Sequence, residues 1–287
     1  MIHDSMDSAK KKSSCGMASP AEKQQQQMQD MMQETLSKIK HKIFVMSGKG
    51  GVGKSSIAAN IATGLADKGF KTGLMDVDLH GPSIAKIMGL DGMLGISPNR
   101  KLLPYKYSEN LGVVSMQSLM QDADQAVIWR GPAKAGMIQQ FVGQVEWGNL
   151  DFLIIDAPPG TGDEPLTVVQ TIRDAKAVVV TTPQEVALSD VRKSINFCDT
   201  VKLPVVGLIE NMGPFKCPGC DHVIALFKSG GGVKTAEAMN IPFLGTLPFS
   251  PAVVIASDDG TPIITKDRAN DFSVALDKII GNIVKSV

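Results

Sequence analysis

The strongest constraint on the fold is a glycine-rich segment between an apolar run and a helical pattern. Residues 48–55 read GKGGVGKS and match the phosphate-loop pattern G-x-x-x-x-G-K-[ST]. The apolar run KIFVMS precedes this segment, and Ile57, Ile61 and Leu65 follow it at helical spacing before Gly69. Strand, glycine loop and helix in this order form the context in which such a loop binds phosphate groups. The sequence therefore predicts a nucleotide-binding α/β domain.

Further apolar runs predict the rest of the sheet. The segments TGLMDVD, FLIIDAPPG, AVVVTTP, VVGLIENM and FLGTLPF are short, nearly continuously apolar, and close with polar or turn-forming residues. Such runs are typical of parallel strands that are covered on both faces. Because helical segments separate them, we expect a doubly wound, mainly parallel sheet with helices on both faces and ligands beyond the carboxyl ends of the strands.

Residues 1–40 are predicted to be an N-terminal tail, and residues 41–287 the domain. The tail opens with small polar residues and continues through a segment rich in glutamine and methionine. Apolar residues recur in it at helical spacing, which predicts a short helix lying on the domain. The apolar face of that helix is expected to comprise Met28, Met32, Leu36 and Ile39.

Composition argues against several classes of function. The chain has 29 basic and 29 acidic residues, so no net field attracts nucleic acid or an anionic membrane, and neither is expected as a partner. No apolar run reaches the roughly 20 residues of a membrane span, and the start lacks the apolar centre of a signal peptide. We therefore expect a cytoplasmic, reducing location, where the four cysteines are thiols or metal ligands.

The residues of the loop are expected to divide the work of nucleotide binding. Glycines let successive backbone N–H groups face a phosphate, and the start of the following helix adds partial positive charge. Lys54 is expected to neutralise β- and γ-phosphate charge, and Ser55 to bind Mg²⁺ through its hydroxyl. The other predicted binding residues of the segment are Gly48, Lys49, Gly50, Gly51, Val52, Gly53 and Ser56.

Acidic residues end two of the predicted strands. Asp156 follows FLII and is expected to act on the magnesium shell as a Walker B carboxylate. Asp76 and Asp78 are two apart on one predicted strand and so point the same way. We expect Asp78 to orient the attacking water and Asp76 to support the water or the metal. Residues 157–164 are expected to be mobile and to sense the γ-phosphate through the N–H of Gly160.

Two cysteines form a C-x-x-C motif after the run VVGLIENM. In a reducing compartment, Cys217 and Cys220 predict two thiolates at a soft metal centre or a redox pair, and no thioredoxin-like pattern surrounds them. Zinc and [4Fe-4S] sites usually take four protein ligands, which an isologous homodimer would supply. The residues alone leave zinc and iron–sulfur open. Cys198 lies on an apolar helical stripe and is interpreted as a core residue.

The early lysine of KGGVGKS resembles that of the deviant Walker A ATPases, which include MinD, the partition ATPases and the nitrogenase iron protein. This resemblance implies an ATP-hydrolysing homodimer in which Lys49 crosses the interface and contacts the phosphates of the neighbouring subunit. It also implies that Asn211, in GLIENM, contacts adenine.

Further segments resemble the Mrp/ApbC branch of these ATPases between about residue 42 and about residue 250. They include DVDLHGPS, DAPPGTGDEPLTVVQ, TTPQEVALSDVRKSI, GLIENM and CPGC. The resemblance implies a [4Fe-4S] cluster that Cys217 and Cys220 of two subunits hold and that is delivered to apoproteins. Cys15 stands alone in the tail, so the additional four-cysteine site of some eukaryotic cytosolic relatives cannot form.

Two alternatives stay open. A MinD- or ParA-like positioning ATPase would bind membrane or DNA, and the last 18 residues are amphipathic, although we interpret them as a helix packed on the sheet. Their apolar side comprises Phe272, Leu276, Ile279, Ile280 and Ile283. The other alternative is an ATPase with a structural zinc at the cysteine pair. The glycines 230–232 are interpreted as a loop that opens a helix and not as a second phosphate site.

Overall fold

The apolar runs of the sequence form one central sheet. The structure is a computed structural model that describes residues 20–78, 81–119, 131–217, 219–220 and 222–287, with the backbone alone for residues 20–25 and 131–134. Its strands are β1 (Ile39–Ser47), β2 (Thr72–Asp76), β3 (Gly95–Ile96), β4 (Leu102–Leu103), β5 (Tyr105–Lys106), β6 (Leu111–Ser115), β7 (Leu150–Asp156), β8 (Lys176–Thr181), β9 (Val205–Gly213), β10 (Phe215–Lys216), β11 (Val223–Ile224) and β12 (Phe243–Pro248).

Within the described ranges the central sheet has eight strands in the order β12-β9-β8-β1-β7-β2-β6-β5. Its neighbours are parallel, apart from the antiparallel pair of β5 and β6 at one edge. The strands β3 and β4 form one small sheet, and β10 and β11 form another. The mainly parallel sheet that the apolar runs predict is therefore confirmed.

Helices connect the strands and cover both faces of the sheet. They are α1 (Pro20–Ser37), α2 (Lys54–Asp67), α3 (Ile84–Ile87), α4 (Gly131–Gln144), α5 (Asp163–Thr171), α6 (Glu185–Thr200), α7 (Gly231–Ala238), α8 (Pro251–Asp258), α9 (Ile263–Lys266) and α10 (Asp271–Ser286), with a 3₁₀ turn at Met116–Leu119. Side chains of α2, α3, α8, α9 and α10 share one apolar cluster, and those of α4, α5, α6 and α7 share the other.

Alternation along the strands produces the two cores. In β1, Ile43 and Val45 join the cluster under α2 and α10, whereas Phe44 and Met46 join the cluster under α4 and α6. Successive strand residues point to opposite faces, so a strand buried on both sides must be apolar at every position. All four side chains are fully buried, which explains why polar residues do not occur at every second position of this run.

The amphipathic C-terminal segment is a helix packed on the sheet, as predicted. In α10 the five apolar residues named above are buried in the same cluster as α2. None of the described helices combines the length and the apolar character that a membrane span requires.

The helix predicted in the N-terminal segment is present as α1 and lies on α4. Thr35 Oγ1 donates a hydrogen bond to the carbonyl of Gly143 at 3.4 Å, and Met28 and Met32 approach the same glycine. The assignment of Ile39 to the helical face is wrong, because α1 ends at Ser37. Ile39 instead starts β1, is buried, and pairs with Leu150, so sheet pairing overrides the helical spacing.

Candidate functional site

The glycine-rich loop connects β1 to α2 at the carboxyl end of the central strands. A Cβ atom on Gly48 would lie 2.4 Å from the carbonyl carbon of Asp190 in α6, so only glycine lets the loop approach that helix. Gly53 has a φ of 84°, in the left-handed region, and immediately precedes Lys54, the first residue of α2. The loop therefore has the strand–loop–helix context that the motif predicts.

A cavity of about 340 Å³ lies in front of the loop. It is lined by Ser47, Lys49, Gly50, Gly51, Gly53, Lys54, Ser55, Ser56, Asp78, Gly81, Ile87 and Pro159. The structure thus brings together the two loop lysines, both loop serines and Asp78. The other predicted residues are not part of the lining: Gly48, Val52, Asp76, Asp156, Gly160 and Asn211.

Lys54 and Asp156 form a buried ion pair at the base of the cavity. Lys54 Nζ lies 2.6 Å from Asp156 Oδ1 and 3.3 Å from Ser55 Oγ. Burial raises the pKa of Asp156, and the neighbouring Lys54 ammonium opposes that rise. A phosphate group that enters the cavity would therefore compete with Asp156 for the lysine.

Two buried oxygens of this site have no hydrogen-bond partner among the described residues: Asp156 Oδ2 and Ser56 Oγ. Buried polar atoms are rarely left unpaired, so each is a position where a ligand atom would be accommodated. The Ser55 hydroxyl and the Asp156 carboxylate are hard oxygen donors of the kind that Mg²⁺ prefers. The donor set therefore fits Mg²⁺.

Asp76 holds the loop that follows β2. Its carboxylate is fully buried and accepts hydrogen bonds from the N–H groups of Asp78, Ser83 and Ile84 and from Ser115 Oγ, at 3.1–3.2 Å. Burial, followed by the charge of Asp156, raises the pKa of Asp76 to about 7.

Asp78 lies in the loop and not on the strand. β2 ends at Asp76, so the prediction that both aspartates belong to one strand is wrong, and the alternation rule does not determine where Asp78 points. The N–H of Val77 still bonds to the carbonyl of Asp156 in β7, whereas the N–H groups of Asp78 and Ser83 bond to the Asp76 carboxylate instead of a strand. Asp78 nevertheless lines the cavity, and its Oδ1 accepts a hydrogen bond from the N–H of Gly81 at 3.1 Å.

Gly160 and Asn211 both bond the backbone around the loop. The N–H of Gly160 donates to the carbonyl of Ser47 at 2.9 Å, so contact with a γ-phosphate requires this bond to open. Asn211 Nδ2 donates to the carbonyl of Val52 at 2.8 Å and lies behind the loop. Neither contact tests the predicted roles in γ-phosphate sensing and adenine binding, which stay predictions.

Lys49 lines the cavity and is partly exposed. Ser47 Oγ donates to its backbone carbonyl at 2.9 Å, which holds the loop backbone at this residue. In the part of the chain that the structure describes, the Lys49 ammonium forms no ion pair. Its ammonium is therefore not neutralised by a carboxylate of the described residues.

The cysteine pair lies in the turn between β10 and β11. The N–H of Cys217 donates to the carbonyl of His222 at 2.9 Å, and Cys220 is exposed. Hydrogen bonds from the N–H of Gly219 and from the Cys220 thiol lower the pKa of Cys217. The described residues contain no group of three or more metal-binding side chains, so this pair brings two thiols and no third ligand.

Cys198 does not join the pair. Cys198 is fully buried in α6, its Sγ lies 3.3 Å from Met46 Sδ, and burial raises its pKa to about 12. Its interpretation as a core residue is confirmed. Cys15 and Pro218 lie outside the described residues.

The glycines 230–232 open α7, as predicted. Gly230 adopts a φ of 75°, and α7 begins at Gly231. Glu210 Oε2 accepts a hydrogen bond from the N–H of Gly232 at 2.6 Å, so a carboxylate of the chain itself occupies the start of this helix.

Sequence reasoning missed three polar residues around the site. They are Ser47, which lines the cavity, Ser115, which binds Asp76, and Glu210. Each stands at or near the carboxyl end of a strand, which is where a parallel sheet collects its functional groups. That position was the available signal, and it carries no information about what each side chain contacts.

Comparison with known proteins agrees with this geometry. Residues 38–284 match the model of the family described as ParA: NUBPL iron-transfer P-loop NTPase. The chain belongs to this family.

Its relatives carry related names. The iron-sulfur cluster carrier protein of Methanococcus maripaludis is 41% identical over 278 residues, which is 95% of this chain and 96% of the relative. The cytosolic Fe-S cluster assembly factor NUBP2 homolog of Dictyostelium discoideum is 46% identical over 86% of this chain and 95% of the relative. A nucleotide-binding protein from Archaeoglobus fulgidus, solved in complex with ADP, is 38% identical with a TM-score of 0.73 over 85% of this chain and 95% of that chain.

Proposed function

We propose that the protein is an ATP-hydrolysing homodimer that carries a [4Fe-4S] cluster on Cys217 and Cys220 and delivers it to apoproteins. One observation carries the proposal: an accessible thiol pair stands in a turn with no third ligand near it in the described residues. Four thiolates from two identical turns would complete the coordination of a cluster.

ATP would bind in the cavity beside the glycine-rich loop. Lys54 would leave Asp156 to neutralise phosphate charge, and the unpaired Ser56 hydroxyl would donate to a phosphate oxygen. Ser55 and Asp156 would hold Mg²⁺, which supplies charge neutralisation for the phosphates when bound. Support for a nucleotide here comes from the ADP complex of the Archaeoglobus fulgidus protein.

Hydrolysis would use the loop that follows β2. Asp78 lines the cavity and would orient the attacking water, while Asp76 supports that position through its bond to the N–H of Asp78. On the other side, Gly160 would exchange its bond with Ser47 for the γ-phosphate, and Asn211 would contact adenine. Lys49 would reach the phosphates of the neighbouring subunit, where a cation that arrives on dimer closure stabilises transition-state charge.

The cysteine turn suits a cargo that must enter and leave. Cys220 is exposed, and donors to the sulfur of Cys217 favour its thiolate, which is the form that binds metal. The Methanococcus maripaludis relative is named an iron-sulfur cluster carrier protein. The Dictyostelium discoideum relative is named a cytosolic Fe-S cluster assembly factor homolog. These names support delivery to apoproteins in the cytosol.

The proposal is tested by metal analysis and anaerobic spectroscopy of protein prepared without oxygen. We expect iron and sulfide to fall to background when Cys217→Ser and Cys220→Ser are combined, and to be kept in Cys198→Ala, whose thiol is buried 3.3 Å from Met46. Nucleotide binding should stay unchanged in both variants. Iron retained without Cys217 and Cys220 would refute the assignment, and zinc in place of iron would point to an ATPase with a structural metal.

A further inference from the structure

The last residues of β9 contact both the nucleotide loop and the segment that carries the cysteines. Glu210 and Asn211 are consecutive and nearly fully buried, with exposed fractions of 1% and 7%. Successive strand residues point to opposite faces of a sheet. Asn211 contacts the carbonyl of Val52 in the loop, whereas Glu210 contacts the start of α7.

The Glu210 carboxylate closes the base of the cysteine segment. The chain passes from β9 through β10, the cysteine turn and β11, and it returns to the sheet at α7. Glu210 Oε2 accepts from the N–H of Gly232 at 2.6 Å, and Oε1 accepts from Thr246 Oγ1 at 3.3 Å. The strand that sends the chain toward the cysteines is thus bonded directly to the helix that receives it back.

Two features indicate that this contact is specific. A Cβ atom on Gly232 would lie 2.9 Å from both Cβ and Oε2 of Glu210, so the carboxylate fits against a residue without a side chain. In the described part of the chain Glu210 forms no ion pair, and a buried carboxylate without a cation is costly unless its hydrogen bonds compensate. The helix start supplies such compensation, since its N–H groups carry partial positive charge.

A strained residue separates the two contacts from the cysteines. Met212 has a φ of 58°, a conformation that non-glycine residues seldom adopt and that costs about 1–3 kcal/mol. It lies between Asn211 and the start of β10. A small shift of β9 would therefore change the backbone conformation at Met212.

We propose that Glu210 is a positioning residue that couples the nucleotide loop to the cysteine turn, so that nucleotide binding changes the exposure of Cys217 and Cys220. The inference rests on the proposed role of the cysteine pair. A nucleotide that displaces Val52 or Asn211 moves the end of β9, and the Glu210–Gly232 bond passes that displacement to the base of the cysteine segment.

The test measures how fast iodoacetamide alkylates Cys217 and Cys220 in metal-free protein, with and without Mg·ADP, by mass spectrometry of their peptide. We expect ADP to change the rate by about fivefold or more, the lower range of measured couplings between sites. In Glu210→Ala the ratio of the alkylation rates with and without ADP should fall to about one. The Kd for ADP should stay within about threefold of the parent value, since the loop itself is unaltered.

Further variants separate coupling from folding. Gly232→Ala breaks the same contact from the other side and should also abolish the ratio, whereas Glu210→Gln keeps an acceptor oxygen and should restore part of it. Glu237→Ala is the matched control, because it removes an exposed carboxylate from the same helix. An unchanged ratio in Glu210→Ala and Gly232→Ala, no effect of ADP in the parent protein, or a parallel loss of ADP affinity would overturn the proposal. Since no metal is present, the result is independent of whether the iron measurement supports cluster carriage.

Discussion

The nucleotide loop and the cysteine turn differ in how far their functional side chains are buried and bonded within the chain. At the loop, Lys54, Asp156 and Asp76 are buried and bond to groups of the same chain. At the turn, Cys220 is exposed, and the described residues bring no third metal-binding side chain to it. The described residues of one chain therefore bond to one another around the loop, whereas at the turn they bring together only two thiols.

The electrostatics of the two regions differ for the same reason. Burial raises the pKa of Asp156 and Asp76, because the charged form loses hydration. At the cysteine turn, a hydrogen bond from the N–H of Gly219 is the main cause that lowers the pKa of the partly buried Cys217. Burial therefore disfavours the charged carboxylates at the loop, whereas hydrogen bonds favour the charged form of the thiol at the turn.

The largest effect is expected from Lys54→Ala, which removes the only cation bonded to Asp156 among the described residues. Breaking a buried ion pair costs about 3 kcal/mol of unfolding free energy, and ATP affinity should fall about 100-fold or more. Calorimetric titration and denaturant unfolding measure both. Lys40→Ala is the matched control, since Lys40 pairs with Asp151 at 2.7 Å but is 71% exposed, and it should cost less than about 1 kcal/mol. Equal losses of unfolding free energy in the two variants would show that the burial of the Lys54–Asp156 pair does not make it stronger than the exposed Lys40–Asp151 pair.

Lys49→Ala should leave ATP affinity nearly unchanged and reduce turnover by about 10³-fold, as expected for a cation that acts on the phosphates of a neighbour. Steady-state hydrolysis and equilibrium binding separate the two quantities. Mixing this variant with Lys54→Ala sharpens the comparison, because a mixed dimer contains one pocket with its own Lys54 and the partner's Lys49. Turnover should reappear in the mixture, and its absence would place Lys49 in the pocket of its own chain.

The sequence predicts the loop better than the turn, for a physical reason. A phosphate loop is encoded by contiguous residues, so Gly53, Lys54 and Ser55 carry their context with them. Parallel strands are likewise legible, because burial on both faces demands continuous apolar runs. The ends of the strands were predicted less well, since β1 already starts at Ile39 and β2 ends before Asp78.

Contacts between distant segments could not be predicted from the sequence. Glu210 is separated from Gly232 by 22 positions, and their bond depends on how α7 returns to the sheet. Lys54 and Asp156 were both predicted, yet their 2.6 Å contact follows from the adjacency of β1 and β7. Patterns along a chain identify which residues carry chemistry, while the topology decides which of them meet.

A further effect concerns pH. Because the pKa of Asp76 is raised to about 7 from its ordinary 3.8, the folded state binds more protons than the unfolded state between these values. The unfolding free energy should therefore fall as pH rises from about 4 to about 7, by up to about 1.4 kcal/mol per pH unit, and level off above. Asp76→Asn should show a shallower slope, because only Asp156, whose pKa is also raised, then contributes to it from this site, even if the variant is less stable throughout.

Denaturant unfolding at several pH values, without Mg²⁺ or nucleotide, gives the unfolding free energy of the parent protein and of Asp76→Asn as a function of pH. The difference between these two curves is the quantity to compare. That difference removes other groups such as His41, whose pKa is lowered mainly by burial and which produces the opposite slope. Parallel curves for the parent protein and Asp76→Asn would contradict the assignment of a raised pKa to Asp76.

The smallest effect is expected at the cysteine turn itself. Cys220→Ser in metal-free protein should change the unfolding free energy by less than about 0.5 kcal/mol, because the thiol is exposed and supports no packing. The same substitution at Cys198 places a hydroxyl in a fully buried position beside Met46 and should cost about 1–3 kcal/mol. Thermal and denaturant unfolding of the two variants compare one chemical change in two surroundings. A large loss in Cys220→Ser would mean that the turn contributes to folding and is not built solely for a ligand from outside the chain.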